Sequence, residues 1–481
     1  MVLRLGGMAG FVLLLLLPPP PGLELVAWRT AAVAALMALW WMTEAIPIPA
    51  TALLPLVLFP ALGILDMSAA AAPYANEVIY LFLGGFLLAI AMERWGLHRR
   101  LGLAIVAAVG TTPRRLILGF MVATAFLSMW ISNTAATAMM LPIALAVAEL
   151  FRPASGPGRH GSGFAVALLL GMAYAASIGG VATLIGTPPN AVMAAAASEL
   201  LGIQVSFVEW MAVGIPAALI FLPLTWFLLV NVLYPQEVVG GEAAELLKRE
   251  RASLGPPSQA EWTVGVVFAL TAAAWVFRAP LELGGVTIPG LQMLFPDIRD
   301  STIAMAAAVA LFLLPADRET GSSALSWEDG KKVPWGVLVL FGGGLSLAVA
   351  MDRSGLAAWL GTRVIGLATL PPAVLLAMVA ALFIFLTEIT SNTATSTMAM
   401  PLMVGVAAAL GMDALVLMAT AALASSMAFM LPVATPPNAI VFGSGELTIK
   451  QMARAGFIMN LISILLVTFL VIAVVPRVFP D

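Results

Sequence analysis

Cysteine is absent, histidine occurs only twice, and charged residues make up 10% of the 481 positions. The lack of cysteine excludes disulfides, iron–sulfur clusters and thiolate zinc sites, and leaves the redox compartment open. His98 and His160 both fall in arginine-bearing polar stretches and are read as solvated loop residues rather than as a metal pair. The scarcity of charge is the most telling shortage. A soluble domain carries roughly a quarter charged residues to cover its surface, so lipid must cover much of this chain. The alternating short strands of a transmembrane barrel are missing as well. No His-Glu-x-x-His motif and no pair of catalytic carboxylates occurs, so an enzyme is not expected.

What is present is hydrophobic: 62% of the chain, in runs of the length that crosses a bilayer. Apolar segments centre near residues 14, 33, 55, 84, 173, 220, 270, 308, 344, 424 and 466, which gives about eleven spans. The first follows Arg4 and resembles a signal peptide, but prolines 18–21 replace a small-residue cleavage site, so it is read as a short span. Two further apolar regions, 116–149 and 373–410, are each split by Ser-Asn-Thr. The longest polar loops are Gln236–Glu261 and Ala316–Val333; the first carries Glu242, Glu245, Lys248, Arg249 and Arg251 and suits an amphipathic surface helix.

The chain repeats itself. Leu81–Leu87 matches Leu340–Ser346, Met92–Leu97 matches Met351–Leu356, and Ile131–Ala135 matches Thr390–Ala394, all at one offset of 259. Thr187-Pro188-Pro189-Asn190 returns as Thr435-Pro436-Pro437-Asn438 at an offset of 248. Several matches in one order identify a duplicated unit. Lysine and arginine mark cytoplasmic loops. With both split regions entering and leaving on one side, sixteen of the 22 basic residues gather on the cytoplasmic face, among them Arg4, Arg94, Arg99, Arg100, Arg114, Arg115, Arg152, Arg159, Arg318, Lys331 and Lys332. The N-terminus is then cytoplasmic and the C-terminus outside, and the two copies lie upside down to one another. Inverted repeats with interrupted helices are the architecture of secondary transporters.

The interruptions carry the chemistry. Ser, Asn and Thr are poor helix-interior residues and good N-caps, so Ser132-Asn133-Thr134 and Ser391-Asn392-Thr393 each end one half-helix and begin another. Such a hairpin tip offers free amides, suited to a carboxylate, and free carbonyls, suited to a small cation. A proline pair forces a helix break, freeing the carbonyls of Gly186 and Ala434 beside the Thr-Pro-Pro-Asn motifs. Glu44 and Glu388 have two readings each. Either is a proton carrier; alternatively Glu44 lies at the membrane surface and Glu388 braces its hairpin by hydrogen bonding, which is preferred. No lysine or arginine is near either triplet, so an anion there would be held by amides, hydroxyls and cations. The Gly84-Gly85 and Gly342-Gly343-Gly344 runs suit close helix packing.

Twin Ser-Asn-Thr hairpins, each followed by Thr-Pro-Pro-Asn, resemble the divalent anion/sodium symporter family, whose members carry dicarboxylates, citrate or sulfate. Trp41–Pro47, Ser326–Asp329 and Phe341–Gly344 support the resemblance, which runs from about residue 25 to the C-terminus. It implies an all-α homodimer in the plasma membrane, with scaffold and elevator-type transport domains. The expected divisions are scaffold helices over 1–114, first hairpin and broken helix over 115–234, loop and second scaffold helices over 235–372, and second hairpin, broken helix and last span over 373–481. It further implies that Asn133, Thr134, Asn392 and Thr393 contact substrate carboxylates beside Pro436. One sodium would sit near Ser128, Ser132, Asn133 and Gly186, the other near Thr387, Thr390, Asn392 and Ala434. Ala136 departs from the family pattern, which has threonine there, as at Thr395 in the second copy. The function implied is sodium-coupled symport of a C4-type dicarboxylate such as succinate, malate or fumarate. A sodium-independent exchanger of the same fold, or citrate or sulfate as cargo, is the alternative, and an anion channel is a third.

Overall fold

The computed structural model describes residues 2–151, 162–236, 242–283, 286–317 and 321–479. His160, Arg152, Arg159 and Arg318 lie outside the described residues. Nearly all ordered segments are helices, and among the described residues nine are long and apolar enough to cross a membrane. Seven coincide with expected spans, for example Leu25–Thr43, Gly163–Gly180 and Gln259–Val276; the other two, Asn133–Leu150 and Asn392–Leu410, are the second arms of the split regions. The segments expected near 14, 55, 308 and 424 form shorter apolar helices. Prolines and a two-residue gap divide Ile48–Thr51 from Leu54–Ala61, and Ala414–Ser425 stops too soon to cross about 30 Å of hydrocarbon.

Both split regions form hairpins. Pro113–Ser128 turns back through Asn133–Leu150, and Pro372–Thr387 through Asn392–Leu410. The first arms begin with proline, whose missing N–H costs nothing at a helix start. Each second arm carries an internal proline, Pro142 and Pro401, at the repeat offset. Both Thr-Pro-Pro-Asn motifs start new helices, Pro188–Leu201 and Pro436–Gly443, after non-helical stretches that follow Gly163–Gly180 and Ala414–Ser425. The amphipathic helix expected in the first long loop is Glu242–Ser253.

Three features escaped the sequence reading. Short helices Leu97–Val109 and Leu356–Thr362 lead into the hairpins after each Gly-rich span. His98 therefore lies in a helix rather than a solvated loop, with Nδ1 3.0 Å from the Met92 carbonyl. A small antiparallel ribbon, Leu281–Leu283 with Val286–Ile288, adds the described strands; three-residue strands are too short to leave a period in sequence.

The two Gly-rich helices run in opposite directions. Glu77–Arg94 ends where Arg94 pairs with Asp329, just ahead of Trp335–Arg353, which starts there and runs back to place Ser346 Oγ 2.9 Å from the Ala70 carbonyl. Other ion pairs gather at the Arg94 end: Arg99 with Glu250 at 2.8 Å and Arg100 with Glu261 at 2.7 Å. Burial alone would push the Asp329 carboxyl upward, but hydrogen bonds from Ser326 and Lys332 and the charge of Arg94 hold it below the ordinary carboxylate range. The opposite end carries Arg278–Asp300 and Arg299–Glu77 pairs at 2.8 and 2.7 Å.

The glycines let backbones touch. A Cβ on Gly84 would fall 2.6 Å from the Ala304 backbone, and one on Gly343 would fall 2.1 Å from the Ala52 carbonyl oxygen. Neither neighbour is a side chain that can turn away. Gly84→Val and Gly343→Val should therefore each lower the melting temperature in detergent by several degrees, since overpacking costs about 1–3 kcal/mol. Gly366→Ala, where nothing lies within 4 Å of the added carbon, should leave it unchanged. Equal melting of all three variants would contradict this packing.

Candidate functional site

One cavity of about 890 Å³ collects both hairpin tips and both broken helices. Ser132, Asn133 and Thr134 line it from one side, Ser391, Asn392 and Thr393 from the other, with Gly186–Pro188 and Ala434–Pro436 between them. Thus Asn133, Thr134, Asn392, Thr393 and Pro436, expected at the substrate, share a single chamber, as do Ser132, Thr390, Gly186 and Ala434 from the expected cation sets. Ser128 and Thr387 lie one layer behind and are fully buried. The chamber extends toward Glu44, Glu93 and Lys332, the end of the molecule where Arg94 meets Asp329. Glu44, exposed at this rim, caps Leu25–Thr43 in the left-handed region at φ 47°.

Each tip forms because a polar residue stops the helix. Ser132 adopts extended φ/ψ of −61° and 144°, and its Oγ accepts the Ala135 N–H at 3.2 Å. Ser391 takes a similar backbone position, φ −67° and ψ 126°. The following asparagine turns inward. Ser128 Oγ donates to the Ala176 carbonyl at 2.7 Å and lies 2.5 Å from the Asn133 amide. The same amide is 3.2 Å from the carbonyl oxygens of Gly186 and Ala176. With Nδ2 inward, the two amide hydrogens are shared among these three oxygens; a half-turn brings Oδ1 inward and leaves an all-oxygen cluster, the donor set a hard cation takes. Gly180 and Gly186 permit this crowding, since a Cβ on Gly186 would sit 2.4 Å from the Gly180 carbonyl oxygen and one on Gly180 would sit 2.6 Å from Asn133.

The second copy repeats the arrangement with its own chemistry. Thr387 Oγ1, the counterpart of Ser128, lies 2.6 Å from Asn392 Oδ1 and 3.0 Å from the Ser425 carbonyl, two acceptors within reach of its one hydrogen. Thr390 and Thr395 share a hydrogen bond of 2.6 Å across the tip. Their first-copy counterparts are Ile131 and Ala136, both buried and apolar, so the hydroxyl doubted at Ala136 is indeed lacking there.

Several contributors were invisible to motif reading. The carbonyls of Ala176 and Ser425 carry no side-chain signature and emerge only once the hairpins dock. Asn190 and Asn438, the last residues of the Thr-Pro-Pro-Asn motifs, are wholly buried and tie the breaks together. Asn190 Nδ2 donates to the Thr183 carbonyl at 2.7 Å, and Asn438 Nδ2 to the Leu431 carbonyl at 3.1 Å. Their recurrence at the repeat offset was the available clue. Glu388 binds three backbone amides at 2.8 to 3.0 Å, which is the bracing role preferred for it over proton carriage. Among the described residues no group of three or more histidine and acidic side chains is placed to hold a metal ion; the cation candidates are the neutral oxygens of the tips.

Comparison with known proteins places the fold and the family. The structures of the Alcanivorax borkumensis YdaH transporter and of Neisseria gonorrhoeae MtrF superpose with TM-scores of 0.63 and 0.59 at 16% and 12% identity. The first covers 93% of this chain and 99% of YdaH, the second 98% of this chain and 97% of MtrF, which is a likeness of fold. In sequence, the chain is 43% identical over 453 residues to the sodium-dependent dicarboxylate transporter SdcS of Staphylococcus saprophyticus, covering 92% of this chain and 85% of that protein. SdcS of Staphylococcus aureus strain USA300 is 43% identical over 450 residues with the same coverage. The sodium:sulfate symporter transmembrane region family matches residues 2–476, so the likeness begins well ahead of residue 25. With nine membrane-length helices among its described residues, twin broken hairpins and this near-complete match, the chain belongs to the sodium:sulfate symporter family of multi-pass membrane transporters.

Proposed function

We propose that this protein couples the entry of sodium to uptake of a C4 dicarboxylate such as succinate, malate or fumarate. The observation that carries the reading is the single cavity between two Asn-Thr tips, with a cluster of neutral oxygens behind each. Relatives named as sodium-dependent dicarboxylate transporters support the choice of cargo.

Electrostatics explains why the two cargoes travel together. Lys332 is the one basic side chain among the described residues lining the cavity, and Glu44 and Glu93 line it too, so the protein itself does not offset a dianion. Two sodium ions would. Opposite unit charges about 4 Å apart attract by about 4 kcal/mol at an effective dielectric of 20 against about 1 in water. A dianion and two cations thus favour one another inside the chamber, and that mutual gain is the coupling free energy. Sodium at the first site would draw on Ser128, Ser132, Asn133 and Gly186, and at the second on Thr387, Thr390, Asn392 and Ala434. The substrate carboxylates would then meet Asn133, Thr134, Asn392 and Thr393, with Pro436 shaping the wall. Amides at the starts of Asn133–Leu150 and Asn392–Leu410 add favourable dipoles toward an anion.

Transport then requires this chamber to face each side in turn. In our reading the two hairpins and broken helices form a transport body that slides against a scaffold built from the remaining helices, in a homodimer of the plasma membrane. The division expected at residues 114, 234 and 372 suits this, with the hairpin arms starting at Pro113 and Pro372. The end carrying Arg94, Arg99 and Arg100 is taken as cytoplasmic by the positive-inside rule. Because the chamber reaches Lys332 and Glu93 at that end, the conformation is inward-facing.

Uptake of labelled succinate into proteoliposomes should rise at least about tenfold with an inward sodium gradient, and excess fumarate or malate should compete. Uptake and counterflow that persist equally without sodium would overturn the coupling and favour exchange; competition by sulfate alone would overturn the substrate class.

Asn133→Ala and Asn392→Ala should each reduce sodium-driven uptake by at least about tenfold, the worth of a charge-assisted hydrogen bond, while melting temperature stays close to wild type. Wild-type uptake in both variants would remove the tips from the site.

A further inference from the structure

Four acidic side chains among the described residues are buried: Glu261, Asp300, Asp329 and Glu388. The first three each pair with an arginine, Arg100, Arg278 and Arg94. Glu388 pairs with no cation among the described residues. Instead Oε1 accepts the N–H groups of Phe429 at 2.8 Å and Met430 at 2.9 Å and Nδ2 of Asn460 at 2.7 Å, and Oε2 accepts the Leu431 N–H at 3.0 Å. An ionised carboxylate accepts such bonds well, and they are about twice as strong as neutral ones. Burying a charge is costly unless hydrogen bonds compensate it, so this interaction demands a particular loop geometry.

The loop so held is the break in the second copy. Leu431, bound through its N–H to Glu388, accepts at its carbonyl the Ala434 N–H at 3.2 Å and Asn438 Nδ2 at 3.1 Å. Ala434 lines the cavity. On the other side of Glu388, Thr387 bonds both Asn392 and the Ser425 carbonyl. One carboxylate therefore joins the hairpin arm to the loop between Ser425 and Ala434. In the first copy the equivalent position is Met129, whose carbonyl accepts Thr183 Oγ1 at 2.5 Å. That tie is neutral.

We propose that Glu388 is a positioning residue for the second cation site, and that its charge makes the two cation sites unequal. By locking Phe429–Leu431 it fixes the carbonyls of Ser425 and Ala434, and its fixed negative charge strengthens sodium binding beside Thr387 and Asn392. The first site, with methionine at this place, lacks both effects. The inference rests on the sodium-coupled reading above.

The test compares sodium dependence in full-length protein reconstituted in liposomes, with sodium-induced thermal stabilisation in detergent as a second readout. Glu388→Gln keeps the shape, but its NH2 group cannot accept from the amides as both carboxylate oxygens do. It should raise half-saturating sodium about tenfold, as loss of a hydrogen bond to a charged group implies, while uptake at saturating sodium falls by less than about threefold. Glu388→Asp keeps the charge but shortens the reach, and should fall between Gln and wild type. Asn460→Ala leaves the carboxylate and removes one donor; a shift of about two- to threefold in the same direction is expected. Should Glu388→Gln fail to fold, Asn460→Ala decides. A purely structural brace would lower maximal uptake and melting temperature with half-saturating sodium unchanged, and that result in the folded variants overturns the proposal alone. A wild-type protein without sodium dependence would overturn the coupled reading and this inference with it.

Discussion

A helix broken inside a bilayer leaves backbone groups that no water can satisfy, and everything distinctive in this molecule follows from how they are satisfied. Unpaired backbone at membrane depth is tolerated only against protein or a wet cavity. Here four breaks face one cavity, two at Ser-Asn-Thr and two at Thr-Pro-Pro-Asn. Side chains at the breaks supply the partners: Asn133 reaches the Ala176 and Gly186 carbonyls, Asn392 pairs with Thr387 in its own hairpin, and Asn190 and Asn438 bond the carbonyls of their own loops. The same groups that would be a liability singly become, when gathered, a chamber of oriented amides and carbonyls without fixed cations at its centre.

Inversion of the repeat is what gathers them. Two copies in the same orientation would place both tips at one face of the membrane. Opposed copies bring one tip from each side to a common depth, and the antiparallel course of Glu77–Arg94 and Trp335–Arg353 is the visible sign of that arrangement. Helices around the tips have to approach closely for this to work. Gly163–Gly180 is buried on nearly every side and is composed largely of glycine, alanine and leucine. Small residues there let hairpin and broken helix share the same few ångströms.

Much of this was legible in the sequence for a physical reason. Serine, asparagine, threonine and proline inside apolar runs act locally, by capping or by removing a donor, so their effect needs no tertiary knowledge. Their recurrence at fixed offsets then supplied the tertiary relation between copies. What could not be read was anything carried by bare backbone. Ala176, Ser425 and the Phe429–Leu431 amides act through groups every residue has, so no residue type announces them. Span lengths were blurred for a related cause: hydrophobicity runs on through Ala414–Ser425 into residues 427–434, although the helix itself ends. His98 was misplaced because the arginines around it suggested a loop, whereas the glycine caps at Gly96 and Gly110 bound a short amphipathic helix.

The two copies agree in architecture and diverge in polarity, and the divergence has a direction. Around the first tip stand Gly180, Gly186, Ile131, Ala136 and Met129; at the same places around the second stand Ala428, Ala434, Thr390, Thr395 and Glu388. In the first, close approach adds to the hydrogen bonds of Ser128 and Thr183, since glycine alone fits where Gly180 and Gly186 meet. The second has room for methyl groups and is arranged by hydrogen bonds, Thr390 to Thr395 and Glu388 to three amides. Packing resists displacement steeply in every direction, whereas a hydrogen-bonded loop responds to charge nearby. A duplicated unit has thus kept one backbone geometry while settling it differently in each copy, by glycine-permitted close approach around the first tip and by a buried carboxylate with its amide donors around the second.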